Sequence, residues 1–385
     1  MSIAFIDLQA QRRRIADKID AAVSRVIASG QYILGPEVKA FEIELAQFSN
    51  AQFCVANANG TDAIALPLMA WGIGPGDAVF CPAFTFAATA EVVPWTGATP
   101  VFVDVDRKTY NMSAESLELA IQGLAMEGKL IPRAVIAVDL FGQPADYPQI
   151  QAVCRRHGLR LIADSAQGFG CTLFGKHPLN WADCATTSFF PAKPLGCYGD
   201  GGATLTNSSE DDALLRSLAV HGGGSDKYDN VHIGMNSRLD AIQAAILREK
   251  LAIFADEIRL RNDVAANYAA LIGDVVRTPE VIAGGVSTWA QYTIECEDRD
   301  GLAAHLKNKG VPTAIYYPKP LHQQTAYRRF PVGAGGMANT EAAAARVISL
   351  PMHPYLDAAT QDTIARAVRE FIGAGGARAP VAKTA

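Results

Sequence analysis

The sequence predicts an α/β protein, with a large domain on a mostly parallel mixed sheet and a smaller α/β domain at the C-terminal end. Three observations carry this. Short apolar runs alternate with helix-like segments and Gly/Pro turns from Phe53 to Phe190, the pattern of βαβ units with helices on both sheet faces. A long helical run then starts at Asp240 and extends roughly to Tyr268, where the alternation stops. The chain has 385 residues, 49% hydrophobic and 19% charged, enough for a sizeable core in one large or two medium domains.

The elements follow in chain order. Ile15, Ile19, Val23, Val26 and Ile27 keep helical spacing, and Gly30 stands where a C-cap belongs. Pro36 marks the first turn of a second helix, whose apolar face is Val38, Phe41, Leu45 and Phe48. The runs Phe53–Ala56, Ala78–Cys81, Pro100–Val105, Ala134–Leu140, Leu159–Ala163 and Ala185–Phe190 read as strands. The domain change falls along the long helix, giving a large domain of residues 1–245 and a smaller one of residues 246–385. Within the latter, Ser287–Cys296 reads as a strand. The Gly/Ala-rich tail from Gly373 to Pro380 is expected to fray.

Charge and composition exclude several classes. With 34 basic against 39 acidic residues the net charge is −5 and the isoelectric point is near 5.8, so no basic excess neutralises nucleic-acid phosphates. The longest nearly uncharged apolar stretches, such as Ala63–Gly74, fall short of the roughly 20 residues of a membrane span. No basic region precedes an apolar run at the N-terminus, so no signal peptide is read there. The seven cysteines are scattered without any C-x-x-C, and the seven histidines lack ligand spacing. This suits a cytoplasmic protein with reduced thiols and no metal.

Two motifs fail on inspection. Gly170–His177 nearly spells a P-loop, but His177 replaces the magnesium-binding Ser/Thr and Pro178 stands where the helix must run. His221-Gly-Gly-Gly lacks any G-x-S-x-G partner, and no G-x-G-x-x-G follows a strand. The missing glycine fingerprint argues against a nicotinamide-dependent dehydrogenase.

Ligands of open parallel sheets sit beyond the carboxyl ends of the strands, and three junctions there carry chemistry. Asp164 ends the run Leu159–Ala163, with Gln167 three residues on. Lys193 follows Ala185–Phe190, between apolar and Gly-rich segments. Asn57-Ala-Asn-Gly60-Thr61-Asp62 joins a strand to a helix start, where free backbone N–H groups suit a phosphate. Singly, each has a plain alternative: a turn-capping acid, a solvated lysine, an ordinary N-cap. Together they ask for a ligand with a phosphate, a ring base and an aldehyde, which pyridoxal 5'-phosphate provides.

The chain resembles the DegT/StrS family of nucleotide-sugar aminotransferases over nearly its whole length. The resemblance rests on Phe5-Ile-Asp-Leu, Gly35–Glu42, Asn59-Gly-Thr-Asp62, Pro82–Thr89, Asp164-Ser-Ala-Gln167, Ser188–Lys193, Gly199-Asp-Gly-Gly202 and Gly234–Arg238. It implies the aspartate aminotransferase fold, pyridoxal 5'-phosphate fold type I. It also implies a role for each matching residue. Lys193 would hold the cofactor as a Schiff base and move the proton, and Asp164 would pair with the protonated pyridine nitrogen. Gln167 would bond the cofactor's 3'-oxygen. Gly60, Thr61 and Asp62 would hold the phosphate through the helix start, helped by Ser188, with the Asp62 side chain turned away to cap the helix. Phe86 would stack on the pyridine ring, a core aromatic being the alternative.

By the same resemblance Asn236 would reach the phosphate from the partner subunit of a homodimer with shared sites. Arg238 would contact a carboxylate, the alternative being a helix-start arginine paired to an acid. Tyr316, Tyr317 and His322 would line the sugar-nucleotide site. The implied reaction moves an amino group from glutamate to a ketone of a nucleotide-linked sugar, in surface polysaccharide or other glycan biosynthesis. The text around Phe189–Gly202 is most like enzymes acting on UDP-2-acetamido-2-deoxy-3-oxo-glucuronate. The alternatives are an aminotransferase for 4-keto-6-deoxy nucleotide sugars and a regulator that binds the cofactor without catalysis. Retention of Lys193, where some family members carry His and dehydrate, supports transamination.

Overall fold

The computed structural model describes residues 3–226 and 228–375; the tail from Gly376 lies outside the described residues. Its strands are β1 (Phe53–Asn57), β2 (Asp77–Pro82), β3 (Thr99–Val103), β4 (Ile131–Val138), β5 (Arg160–Asp164), β6 (Thr172–Leu173), β7 (Cys184–Ser188), β8 (Gly202–Thr206), β9 (Gly285–Val286), β10 (Tyr292–Glu295) and β11 (Val347–Leu350). Seven of them form one sheet in the order β1-β8-β7-β5-β4-β2-β3. Neighbours from β7 through β3 pair in parallel, whereas β8 runs antiparallel to both β7 and β1. The sheet is therefore mixed through a single reversed strand.

The helices before the sheet are α1 (Leu8–Arg14), α2 (Ala16–Ser29) and α3 (Pro36–Ser49). Gly30 closes α2 with φ +68°, a left-handed cap that glycine adopts without a Cβ penalty. Pro36 opens α3 at its first turn. Between strands run α4 (Gly60–Ala70), α5 (Ala88–Trp95), α6 (Ala114–Glu127) and α7 (Tyr147–His157), followed by α8 (Ser209–Ala219). Alternate strand residues feed two cores, as the strand period of two requires. Ala78, Phe80, Val135, Ala137, Leu161 and Ala163 pack with α2, α3, α6 and α7. Val79, Cys81, Ala134, Ile136 and Ile162 pack with α4 and α5 on the opposite face. Burial on both faces explains why these strands read as continuous apolar runs.

The long helix α9 (Ala241–Ile272) is shared between two cores. Its residues through Phe254 pack against the sheet. From Val264 onward they pack with β10, β11 and the helices α10 (Arg299–Asn308) and α12 (Ala358–Gly373). The helix α11 (Ala338–Arg346) lies between β10 and β11 in the chain. The N-terminal end crosses over to this second core, where Ile3 packs and the Phe5 carbonyl accepts from the Met352 N–H. A buried carboxylate joins the two parts. Glu295 of β10 is paired bidentately by Arg107, which follows β3, and accepts from the Tyr110 hydroxyl at 2.6 Å.

Candidate active site

Beyond the carboxyl ends of β1, β2, β4, β5 and β7 lies a cavity of about 650 Å³. Its wall includes Gly60, Thr61, Phe86, Asp164, Gln167, Ser188 and Lys193, so the sheet gathers these residues from four separate stretches of chain. Tyr316 and Tyr317 close it from the C-terminal part.

The β1–α4 turn is shaped by close contact. Asn59 is the N-cap of α4, and its side-chain oxygen accepts the Asp62 N–H at 2.8 Å. Gly60 and Thr61 occupy the first helical turn, where N–H groups have no intrahelical partner, and they face the cavity. A Cβ on Gly60 would stand 2.5 Å from the Ser188 Cβ. A Cβ on Gly202 would stand 2.3 Å from the Asn59 carbonyl oxygen. Only glycine at both positions lets the helix start settle against the ends of β7 and β8. Two details differ from expectation. The cap belongs to Asn59 and not to Asp62, and the Asp62 N–H is spent on that cap, so the donors left for an anion are those of Gly60 and Thr61.

Asp164, at the end of β5, is buried. Its Oδ2 accepts from the Thr89 hydroxyl at 2.9 Å and its Oδ1 from the Ala166 N–H at 3.1 Å. Burial raises the pKa of this carboxyl, against the opposing effect of those two bonds and of Lys193. Lys193 moves the other way: burial lowers its pKa, and Asp164 opposes that. Among the described residues Lys193 Nζ makes no ion pair or side-chain hydrogen bond. Its backbone, by contrast, is pinned. The Lys193 N–H donates to Phe190 O at 2.8 Å, Cys197 N–H to Phe189 O at 2.8 Å and Phe189 N–H to Gly201 O at 2.7 Å. Lys250 of α9 donates its ammonium to the Gly196 carbonyl.

The carboxamide of Gln167 has a fixed orientation. Its oxygen accepts from the Phe141 N–H at 2.8 Å, so its nitrogen is the end that donates, to the Tyr317 hydroxyl at 2.9 Å. Phe86 is 56% exposed and lies on the cavity wall, which rules out the core-aromatic alternative. Backbone donors at a helix start, an acceptor carboxylate, an oriented amide donor and an unpartnered amine thus share one cavity. That donor set fits pyridoxal 5'-phosphate.

Three residues lie elsewhere. Asn236 and Arg238 line a separate hollow of about 420 Å³ with Ala58, Gly199, Asp200 and Gln243. Asp200 borders both hollows. Among the described residues no acid lies within ion-pair distance of Arg238, against the paired-arginine alternative. His322 is not part of the cavity wall. Its short helical turn is anchored by buried Leu321, whose N–H donates to Ala83 O at 2.9 Å, and the imidazole turns to Glu341 of α11 at 3.1 Å.

Sequence reasoning passed over Asn59, Thr85, Thr89 and Gln291, all of which line the cavity. The two threonines left a readable signal, a hydroxyl pair at i, i+4 directly after β2. Gln291 left none, because it joins the site only through tertiary packing.

A family model described as the DegT/DnrJ/EryC1/StrS aminotransferase family matches residues 13–369. The chain is 47% identical over 371 residues to UDP-2-acetamido-2-deoxy-3-oxo-D-glucuronate aminotransferase of Pseudomonas aeruginosa, with 95% of this chain and 99% of that protein covered. It superposes with a TM-score of 0.95 on the crystal structure of a DegT DnrJ EryC1 StrS aminotransferase from Brucella abortus, at 54% identity and with 96% and 100% of the two chains covered. A TM-score of 0.86 relates it to NtdA from Bacillus subtilis with bound cofactor PMP, at 26% identity and with 97% and 85% covered. The chain belongs to the DegT/DnrJ/EryC1/StrS aminotransferase family.

Proposed function

We propose that the protein is a pyridoxal 5'-phosphate-dependent aminotransferase that moves an amino group from glutamate to the ketone of a nucleotide-linked sugar. The substrate favoured is UDP-2-acetamido-2-deoxy-3-oxo-glucuronate, the sugar in the name of the Pseudomonas relative. The observation that carries the reading is the convergence of Lys193 and Asp164 on one cavity with the start of α4.

When bound, the cofactor supplies an aldehyde that accepts the amino group and a ring that withdraws electrons from the reacting carbon. The Gly60 and Thr61 N–H groups and the Ser188 hydroxyl bind its phosphate, where the positive end of the helix favours an anion. Asp164 receives the ring nitrogen and holds a proton on it. Gln167 orients the ring by donating from Nε2. Lys193 Nζ, kept more readily neutral by burial, would take a proton from the amino-bearing carbon of the donor and return it to the cofactor carbon on the far side of the shared nitrogen. Phe86 and Tyr317 cover the ring and limit water.

The functional unit proposed is a cytoplasmic homodimer, in which Asn236 and Arg238 complete the partner's site. Their place outside their own chain's cavity supports this. The seven cysteines, all buried and none in a disulfide, fit a reducing compartment. No helix among the described residues is long and apolar enough to cross a membrane.

The test starts with the visible absorbance of the purified protein, which glutamate should bleach. The pyridoxamine-loaded enzyme is then given a panel of UDP-3-oxo and dTDP-4-keto-6-deoxy sugars, read by mass spectrometry. Amination of the 3-oxo uronate with regain of absorbance is expected. Failure of glutamate to bleach, or exclusive use of the 4-keto sugars, overturns the donor or the sugar respectively.

A further inference from the structure

Two threonines stand at the start of α5, yet that helix has no side-chain cap. Their hydroxyls go elsewhere. Thr89 Oγ1 donates to Asp164 Oδ2 at 2.9 Å, and Thr85 Oγ1 lies 3.1 Å from Thr89 Oγ1. Both residues are almost wholly buried, at 2% and 1% exposure, so water does not compete for these bonds. We propose that Thr89 is a positioning residue: the Thr85–Thr89 pair forms a one-way donor chain that keeps Asp164 ionised, and thereby keeps a proton on the ring base the carboxylate receives. This deepens the pyridoxal 5'-phosphate reading and rests on it.

The direction follows from counting protons. A hydroxyl has one to give. An ionised carboxylate only accepts, so the Thr89 proton must point at Oδ2. Thr85 must then be the donor within the pair. Were Asp164 to take a proton on Oδ2, Thr89 would have to turn round and Thr85 with it. The chain therefore distinguishes the two states of Asp164 and favours the charged one, through a charge-assisted bond strengthened by the hydroxyl behind it. Burial opposes this ionisation, so a fixed donor is needed where solvent is excluded.

The test uses Thr89→Val, which keeps the shape and removes the hydroxyl, and Thr89→Ser, which keeps the hydroxyl. Calorimetry on cofactor-free protein measures two ligands: pyridoxamine 5'-phosphate and its 1-deaza analogue, in which a C–H replaces the ring nitrogen. Neither ligand bonds covalently to Lys193. Thr89→Val should weaken pyridoxamine phosphate by about tenfold or more and change the analogue by less than about twofold, while Thr89→Ser matches wild type for both. With ¹⁵N in the ring, the bound nitrogen should give a pyridinium signal in wild type and move toward neutral pyridine in Thr89→Val. Equal loss of both ligands, or an unchanged nitrogen signal, overturns the proposal by reducing Thr89 to a packing role. If wild type itself prefers neither ligand, the contact between Asp164 and the ring nitrogen falls, and the threonine chain falls with it. The wild-type comparison thus tells the two failures apart.

Discussion

Lys193 and Asp164 are pushed toward neutrality from opposite sides by the same burial, and each is the chief charged neighbour of the other. Removing the amine removes the group placed to carry a proton between carbons. Lys193→Ala should therefore slow turnover by about 10⁴-fold or more, roughly 5.5 kcal/mol of barrier. Binding of pyridoxamine phosphate should persist, because the phosphate and ring contacts lie on other residues. Normal turnover by this variant in a steady-state assay would remove Lys193 from its role. A second buried acid behaves differently. Asp139 accepts from the Ser165 hydroxyl at 2.5 Å, the Tyr147 hydroxyl at 2.8 Å and the Ala145 N–H at 3.1 Å, yet burial pushes its pKa up to about 7. A carboxyl whose folded pKa is raised stabilises the fold fully only below its unfolded pKa, near 3.8, and loses that contribution as pH rises through about 7. Asp139→Asn keeps the size without titrating: its one oxygen can still accept from Tyr147 and Ala145, while the Ser165 hydroxyl must turn to accept from the amide nitrogen. The melting-temperature gap between variant and wild type should grow in favour of the variant from pH 4 to pH 8, up to about 4 kcal/mol in stability. A pH-independent gap would show that Asp139 is not the titrating group.

At the level of elements, the start of α4 is a site only because nothing stands between it and β7. Gly60→Ala places a methyl 2.5 Å from the Ser188 Cβ, and one of the two elements must move. The expected cost is about 1–3 kcal/mol in thermal or denaturant unfolding. Pyridoxamine phosphate affinity should fall with it, as the N–H groups leave their aim; unchanged affinity would detach α4 from phosphate binding. The sequence could be read well where burial and helix signals coincide. The six apolar runs all became sheet strands, and Gly30 and Pro36 bound helices as their backbone preferences require. The strand Gly202–Thr206 escaped notice because Gly-Ala-Thr-Leu-Thr carries little apolar bulk, although every residue in it is buried. Asp164, Gln167 and Lys193 were legible because each follows a strand. Asn59 was not, since two acceptable caps, Asn59 and Asp62, stand within one turn and only geometry chooses between them. His322 stands off the cavity wall, because a residue's place in a motif does not say which way a helical turn faces.

The whole molecule raises the question of how many chains one site needs. Asn236 and Arg238 sit outside the cavity of their own chain. If each serves a partner, Lys193 and Asn236 at any one site come from different subunits. Asn236→Asp would set a carboxylate against the phosphate, and Lys193→Ala lacks the amine, so both homodimers should be nearly inactive. Dissociated, mixed equally and reassociated, they should form about half heterodimers, each with one site carrying both defects and one carrying neither. Activity should return to about a quarter of wild type. With heterodimers demonstrated by mass-tagging, recovery near zero would place Asn236 in its own chain's site instead.

The reversed strand β8 has a mechanical corollary. After β1, β2, β4 and β5 the chain leaves its strand for a helix or turn, whereas between β7 and β8 it returns at once to the neighbouring strand. Ser188 and Gly202 are locked in register, and inner bonds close residues 190 to 193 and 189 to 197. The segment is a linkage with both pivots fixed, and the amine rides on its coupler. Its length, more than its composition, sets where Lys193 points. A single glycine inserted there should cost as much activity as losing the lysine, while the sheet keeps its stability.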